Sequence, residues 1–435
     1  MNAVLSAASA VFERERLAFE SRTPRSQERF RRALEVFPGG DTRIATFHLP
    51  YPVTIERAER IDLVDIDGNG YLDLLVNYTS LVTGHRHPAV MEAAATAMSR
   101  LTGVAAPVLG QIELAEELIR RVESVERVRF TNSGSESTQI ALWAARAFTG
   151  RTVVIKAIGG YHGAVPELDR NIRPGAFPPG LPESAPVLAV PFNDADALRA
   201  AIEEAGDSLA AIFLEPVLGS GGVIGPEPGY LKAAEAWARE AGALLVLDEV
   251  ITFRLSPGGF QQLAGVRPDL TAFAKIIGGG FPVGAIGGRA EVMEVFRPGL
   301  PKSVAHSGTF NGNPVTVAAG RKTLELLDDA AYEKLDRLGA QLAEGLRVAI
   351  AQTGVAAQVT HVGSLANVHF TTEPILDFDA GQRADQAAGA AYHLGLLNRG
   401  VFIAPRGMMA MSIVTEESDI ARVVDASTEI FAALA

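Results

Sequence analysis

Two neighbouring stretches, ALLVLDEV at 243–250 and LTAFAKIIGGG at 270–280, decide the fold. The first is a short, unbroken apolar run that ends in the carboxylates Asp248 and Glu249, as expected of a strand buried on both faces. The second is another apolar run, closed by Lys275 and then three glycines. The interval between them fits one strand–helix–strand crossover, which sets Asp248 and Lys275 on neighbouring strand ends facing one pocket. The C-terminal ends of parallel strands are where open α/β sheets place their ligands.

Outward from this pair the same alternation continues. Helical stretches (AVMEAAATAMSRL at 89–101, IELAEELIRRV at 112–122, ESTQIALWAARAF at 136–148) alternate with short apolar strands (VRFTN at 128–132, TVVIKA at 152–157, AAIFLEP at 210–216). This predicts an α/β fold built on a mostly parallel sheet covered by helices. Residues 1–37 read as helical, with Phe12, Leu17 and Phe19, then Phe30, Leu34 and Phe37, set among Glu and Arg. Pro24 divides that stretch and Pro38-Gly39-Gly40 ends it. Residues 53–75 alternate as short antiparallel strands around the turn Asp67-Gly68-Asn69-Gly70. After about residue 325 a long helix leads to VTHVGSLANVHF at 359–370, read as strands, then a helix over 381–398 and strands in VFIAPRGMMAMSIV at 401–414. The expected organisation is an N-terminal segment at 1–65, a large domain at 66–325 and a small C-terminal α+β domain at 326–435 joined by the N-terminal segment.

Composition sets limits. The chain has 435 residues, 48% of them apolar, enough to bury a large core without staples. It has no cysteine, which excludes disulfides, thiolate metal sites and cysteine nucleophiles. A net charge of −12 argues against a nucleic-acid or anionic-membrane binder, since both need a positive field. The opening MNAVLSAASAVFERERLAFE has a short apolar stretch, no basic start and early acids and arginines, so no signal peptide is expected. No apolar run approaches the roughly 20 residues of a membrane span. A soluble, cytoplasmic protein is expected, with no metal.

The chemistry follows from Lys275 and Asp248. An isolated lysine more often carries its amine to the surface, and a lone strand-end Asp is more often a solvated loop acid. Together they suit one cofactor. An ammonium in the apolar setting of LTAFAKIIGGG loses solvation, its pKa falls, and the neutral amine can form a Schiff base with an aldehyde. A carboxylate nearby keeps a pyridine nitrogen protonated, so that the ring accepts electrons. Pyridoxal 5'-phosphate (PLP) needs both groups. Its phosphate needs a seat. VRFTNSGSESTQIALWAARAF at 128–148 is a strand, a small polar turn and a helix, with Ser133, Gly134 and Ser135 at the helix N-terminus, where free N–H groups attract an anion. A plain serine cap explains the same residues equally well. In GGYHGAVPE (159–167), Tyr161 is placed to lie on a cofactor face and His162 to order it. Glu215 in FLEPVLGSGG ends another strand near the same rim, and Val250 is placed for the opposite ring face. Each of these, taken singly, is better explained as packing or as a loop polar group than as a cofactor contact. Thr309 in HSGTFNGNP either binds phosphate or shapes a turn. A nucleotide-binding α/β protein is the competing fold reading; no GxGxxG follows the first strand and no Walker sequence is present.

The ordered set NSGSE, YHG, LEP, LDEV, AKIIGGGFPVGAIGG and HSGTFNGNP resembles the class III aminotransferases of PLP fold type I, over about residues 30–430. The resemblance implies a large domain with a mostly parallel seven-stranded sheet, and a homodimer with active sites at the subunit interface. It implies Lys275 as the Schiff-base lysine, Asp248 on the pyridine nitrogen, and Ser133, Gly134 and Ser135 at the phosphate. Tyr161 goes to the ring face and Thr309 to phosphate across the dimer. Two branches are similar: the β-amino-acid transaminases typified by β-phenylalanine aminotransferase, and glutamate-1-semialdehyde 2,1-aminomutase. PGGDTR (38–43), NYTS (77–80), DEVITFRLSPGG (248–259) and APRG (404–407) favour the first. YHGAVPE and GTFNGNP depart from the YHGH and threonine-leucine-serine stretches of the second. By the same resemblance Arg43 and Arg406 grip substrate carboxylates and Tyr78 lines the pocket. The implied reaction moves an amino group from an aromatic or bulky β-amino acid to 2-oxoglutarate or pyruvate. An aminomutase-type isomerase and a non-catalytic PLP-fold binding protein are the alternatives.

Overall fold

The computed structural model describes residues 7–169, 186–300 and 303–435. A seven-stranded sheet runs Arg127–Thr131, Gly284–Gly288, Leu270–Ala274, Leu244–Asp248, Leu209–Leu214, Val153–Ala157 and Val187–Val190. Only Gly284–Gly288 is antiparallel to its neighbours. The central strands are apolar because helices cover both faces: every residue of Leu209–Leu214, Leu244–Asp248 and Leu270–Ala274 is buried. Beneath them Phe253 and Phe273 meet edge to face, ring centroids 4.9 Å apart. Burying one such ring stabilises the fold by about 1.5–3 kcal/mol.

The helix Gly134–Thr149 lies across this sheet. Its start is fixed reciprocally: Glu136 N donates to Ser133 Oγ at 3.2 Å, and the Glu136 carboxylate accepts from Asn132 N at 2.7 Å. Gly150, at φ 69°, ends it. The glycines of GAIGG let the helix start settle directly on the sheet, since a Cβ on Gly284 would overlap Ser133 O and the hydroxyls of Thr131 and Ser137.

A four-stranded sheet joins Ile55–Glu59, Asp62–Asp65 and Gly70–Asp73 to Val401–Phe402, which runs parallel to Gly70–Asp73. A three-stranded sheet holds Gln358–Val362, Leu365–His369 and Met408–Ala410. The helix Asp329–Thr353 packs on Glu417–Leu434, and Ala7–Arg22 packs on Gln386–Asn398.

One helical stretch divides where expected and another divides where no break was expected. The first helical stretch breaks before Pro24 into Ala7–Arg22 and Pro24–Leu34; its first six residues lie outside the described ones. Phe19 is buried whereas Leu17, Leu34 and Phe37 are exposed, because Phe12 and Phe19 share a helix face that Leu17 does not. The helix expected at 381–398 is two, Phe378–Gln382 and Gln386–Asn398. Asp385 caps the second, its carboxylate accepting from Ala387 N at 2.9 Å and Ala388 N at 3.0 Å. Among the described residues no helix is long and apolar enough to cross a membrane.

Candidate active site

The strand ends meet at a cavity of about 390 Å³ lined by Ser133, Gly134, Ser135, Tyr161, His162, Glu215, Asp248, Val250 and Lys275, among others. Asp248 is opposite Ala272 in the parallel pairing of its strand with Leu270–Ala274, and Lys275 follows that strand directly. At φ 51° Lys275 turns sharply out of the sheet in a left-handed conformation. Its side chain lines the cavity together with Asp248 and Glu215, whose charges both reach it.

Burial pushes the Lys275 amine down to about 8, against the opposing pull of Asp248 and Glu215. A useful fraction is therefore neutral near physiological pH. Burial and the charge of Asp248 push Glu215 up to about 8. Its two oxygens accept from Tyr161 N at 3.0 Å and Gly219 N at 3.2 Å, tying the tyrosine loop to the Leu209–Leu214 strand end. Asp248 Oδ1 accepts from Val250 N at 3.1 Å, and Oδ2 pairs with His162 Nδ1 at 2.9 Å. His162 was expected to order Tyr161; the structure sets it against Asp248 instead. Burial lowers the His162 pKa, and Nε2 has no hydrogen-bond partner beside the Phe213 ring. A neutral ring with its proton on Nδ1 is therefore the form that leaves no buried donor unmet.

Tyr161 stands at the rim, 48% exposed, its ring free for a planar ligand to cover. On the other side Val250 packs against Gly134, where a Cβ would come within 3.1 Å of it. The tyrosine loop is locked to the helix start: Thr138 Oγ1 donates to His162 O at 2.6 Å, and Ala164 N donates to Ser135 Oγ at 3.0 Å.

The expected substrate residues gather at the mouth rather than in the cavity. Arg43 is exposed and donates to Asn77 Oδ1 at 3.3 Å. The Tyr78 hydroxyl donates to Ala45 O, and the charges of Arg406 and Arg43 both reach Tyr78. Arg406 is exposed on the loop before Met408–Ala410, and its charge also reaches Tyr161. Thr309 lies in an exposed turn and does not line the cavity of the single chain; its neighbour Asn311 accepts from Asn132 Nδ2 at 2.8 Å.

Several residues escaped the sequence reading. Asn77, Ser80, Asn132 and Phe281-Pro282-Val283 line the cavity. Val76, Asn77, Tyr78 and Thr79 form an unbroken left-handed turn (φ 42°, 52°, 52° and 72°), which costs non-glycine residues roughly 1–2 kcal/mol each. No glycine marks it, so nothing in NYTS announces it. Lys156, inside the apolar run TVVIKA, is fully buried and donates to Gly160 O at 2.9 Å and Leu168 O at 2.7 Å, bracing the tyrosine loop. Its position on an apolar strand was the available signal.

These donors suit PLP. Amine and carboxylate share one cavity, a helix start offers Ser133 and Ser135, and the Gly134 notch is where a side chain would crowd Val250.

Comparison with known proteins agrees with this geometry. The aminotransferase class-III family matches residues 44–431. Glutamate-1-semialdehyde 2,1-aminomutase from Methanothermobacter thermautotrophicus is 41% identical, over 94% of this chain and 99% of its own length. Among solved structures, an omega-transaminase from Sphaerobacter thermophilus superposes with a TM-score of 0.90 at 39% identity, covering 93% of this chain and 97% of that one. A β-phenylalanine aminotransferase from Variovorax paradoxus gives 0.91 at 37% identity, covering 97% of each. With the family match running from residue 44 to residue 431 and the fold shared with solved transaminases, the chain belongs to the class III aminotransferases.

Proposed function

We propose that this PLP-dependent enzyme transfers an amino group from a β-amino acid, aromatic or bulky, to an α-keto acid such as 2-oxoglutarate or pyruvate, working as a cytoplasmic homodimer. The observation that carries this reading is the pair of rim arginines, Arg43 and Arg406, whose charges meet at Tyr78 beside the cavity. A β-amino acid and an α-keto acid hold their carboxylates at different distances from the reacting carbon. Two separate guanidinium groups can serve both. The 37% identity to β-phenylalanine aminotransferase supports it further.

When bound, PLP supplies an electron sink for the bond broken at the amine-bearing carbon. Lys275, neutral in part, takes the proton from that carbon and returns one on the other side of the transfer. Asp248 holds the ring nitrogen's proton, and His162 fixes the carboxylate that does so. Ser133 and Ser135, with the N–H groups of the helix start, seat the phosphate, joined in the dimer by the partner copy's Thr309. Tyr161 would lie against one ring face and Val250 against the other.

A second reading, an aminomutase-type isomerase, is favoured by the 41% identity to the Methanothermobacter enzyme. A panel of β- and α-amino donors, scored by consumption of 2-oxoglutarate and pyruvate, separates the two. The transaminase stalls after one half-reaction when no keto acid is supplied. An isomer formed from a single substrate, with no keto acid consumed, would establish the mutase and end the transaminase reading.

A further inference from the structure

Arg254 is among the largest fully buried side chains; it does not line the cavity, although its charge reaches Lys275 and helps to lower that amine's pKa. Its guanidinium reaches three separate segments: Nε donates to Ser364 Oγ at 3.1 Å, Nη1 to Thr79 O at 3.1 Å, and Nη2 to Met411 O. All three acceptors are neutral. A buried guanidinium held only by neutral acceptors is costly where an apolar side chain of similar size would fill the space, so what it fixes is geometry.

What it fixes is the left-handed turn. Thr79 is the turn's last residue, and its carbonyl points into the interior onto Nη1. Asp73 secures the other end: Oδ1 accepts from Leu75 N and Val76 N, both at 2.8 Å, while Oδ2 pairs with His85 Nε2 at 2.7 Å. Held at both ends, the turn presents Asn77 and Ser80 to the cavity. Asn77 Oδ1 accepts from Arg43, and Tyr78 binds Ala45 O in the Arg43 loop. A chain of contacts therefore runs from the buried guanidinium, through a strained turn, to an exposed one.

We propose that Arg254 is a positioning residue for substrate carboxylate: it holds the turn Val76–Thr79 and, through Asn77, sets Arg43 at the mouth of the pocket. This rests on the reading of Arg43 as a carboxylate ligand.

The test uses the holoenzyme and the variants Arg254→Lys, Asn77→Ala, their double, and Arg43→Met. Half-reactions are followed by cofactor absorbance with a β-amino acid and with a carboxylate-free amine such as benzylamine. Arg254→Lys lowers kcat/KM for the β-amino acid about tenfold, mainly through KM, and leaves the carboxylate-free amine within about twofold. Asn77→Ala acts in the same direction, and the double variant is no worse than Arg254→Lys alone. Equal losses with both donors, or no loss with either, overturn the proposal. If Arg254→Lys does not fold, Asn77→Ala decides by the same criterion. A carboxylate-selective loss in Arg43→Met without one in the other variants removes Arg254 and keeps Arg43. No loss in Arg43→Met removes both.

Discussion

The inner wall of the cavity and its outer rim are built on different plans. The wall takes Asp248, Glu215 and Lys275 from the ends of three adjacent strands and pins His162 behind them. Neighbouring strands lie about 4.8 Å apart, so the spacing of these groups is set by the sheet. The rim takes Arg43, Tyr78 and Arg406 from loops that are remote in sequence, and both arginines are exposed. The wall can keep one chemistry across a family while the rim changes what is admitted.

Variants at the wall therefore harm every substrate alike, and variants at the rim harm some. Lys275→Ala has the largest expected effect: turnover falls at least about 10³-fold with any donor, and the absorbance of the enzyme–cofactor linkage disappears. Full activity would break the assignment. Asp248→Asn follows, with a rate loss of roughly 10²-fold that is again independent of donor and is read in single-turnover kinetics. Arg406→Ala raises KM for carboxylate substrates about tenfold and spares carboxylate-free amines. A uniform loss there would erase the distinction between wall and rim.

The smallest effect is on stability. Glu215 titrates near 8 when folded rather than at its ordinary 4.5, so between these values the folded chain holds a proton that the unfolded chain has released. The contribution of Glu215 to stability therefore falls as pH rises from 5 to 8, against the opposite slope of the buried histidines, whose lowered pKa favours folding as pH rises toward 6.5. Lys275, lowered to about 8 from 10.5, gives the opposite slope, but only above pH 8. In thermal unfolding of cofactor-free protein, the stability of wild type relative to Glu215→Gln should decline from pH 5 to 8, by an amount on the order of 1–3 kcal/mol. Parallel curves would show that burial does not perturb this carboxyl.

The same contrast explains what could be read beforehand. Asp248 and Lys275 were legible as cavity residues because each closes or follows a buried apolar run, and Ser133–Ser135 because a small polar turn joins a strand to a helix there; strand ends converge by topology alone. The role of His162 was misread because its partner lies 86 residues away in sequence, and no local pattern specifies which side its ring faces. The left-handed turn was invisible because glycine, the residue that signals such backbone, is missing from it. Arg254 and Lys156 went unremarked because a cation amid apolar neighbours ordinarily reaches for solvent. The helix broken before Asp385 illustrates another limit: one cap outweighs continuous helical periodicity.

The bare strand Gly284–Gly288 has a dimensional consequence. It lies between the strand that leads to the Ser133 turn and the strand that leads to Lys275, and at Gly284 the helix start rests on it with no methyl intervening. PLP carries its aldehyde and its phosphate arm on adjacent ring carbons, so a site that takes both would have to hold their two anchors at one fixed separation. Omitting a single carbon here acts as a missing shim between the helix start and the sheet, and an alanine would push the two apart while leaving every charged group in place.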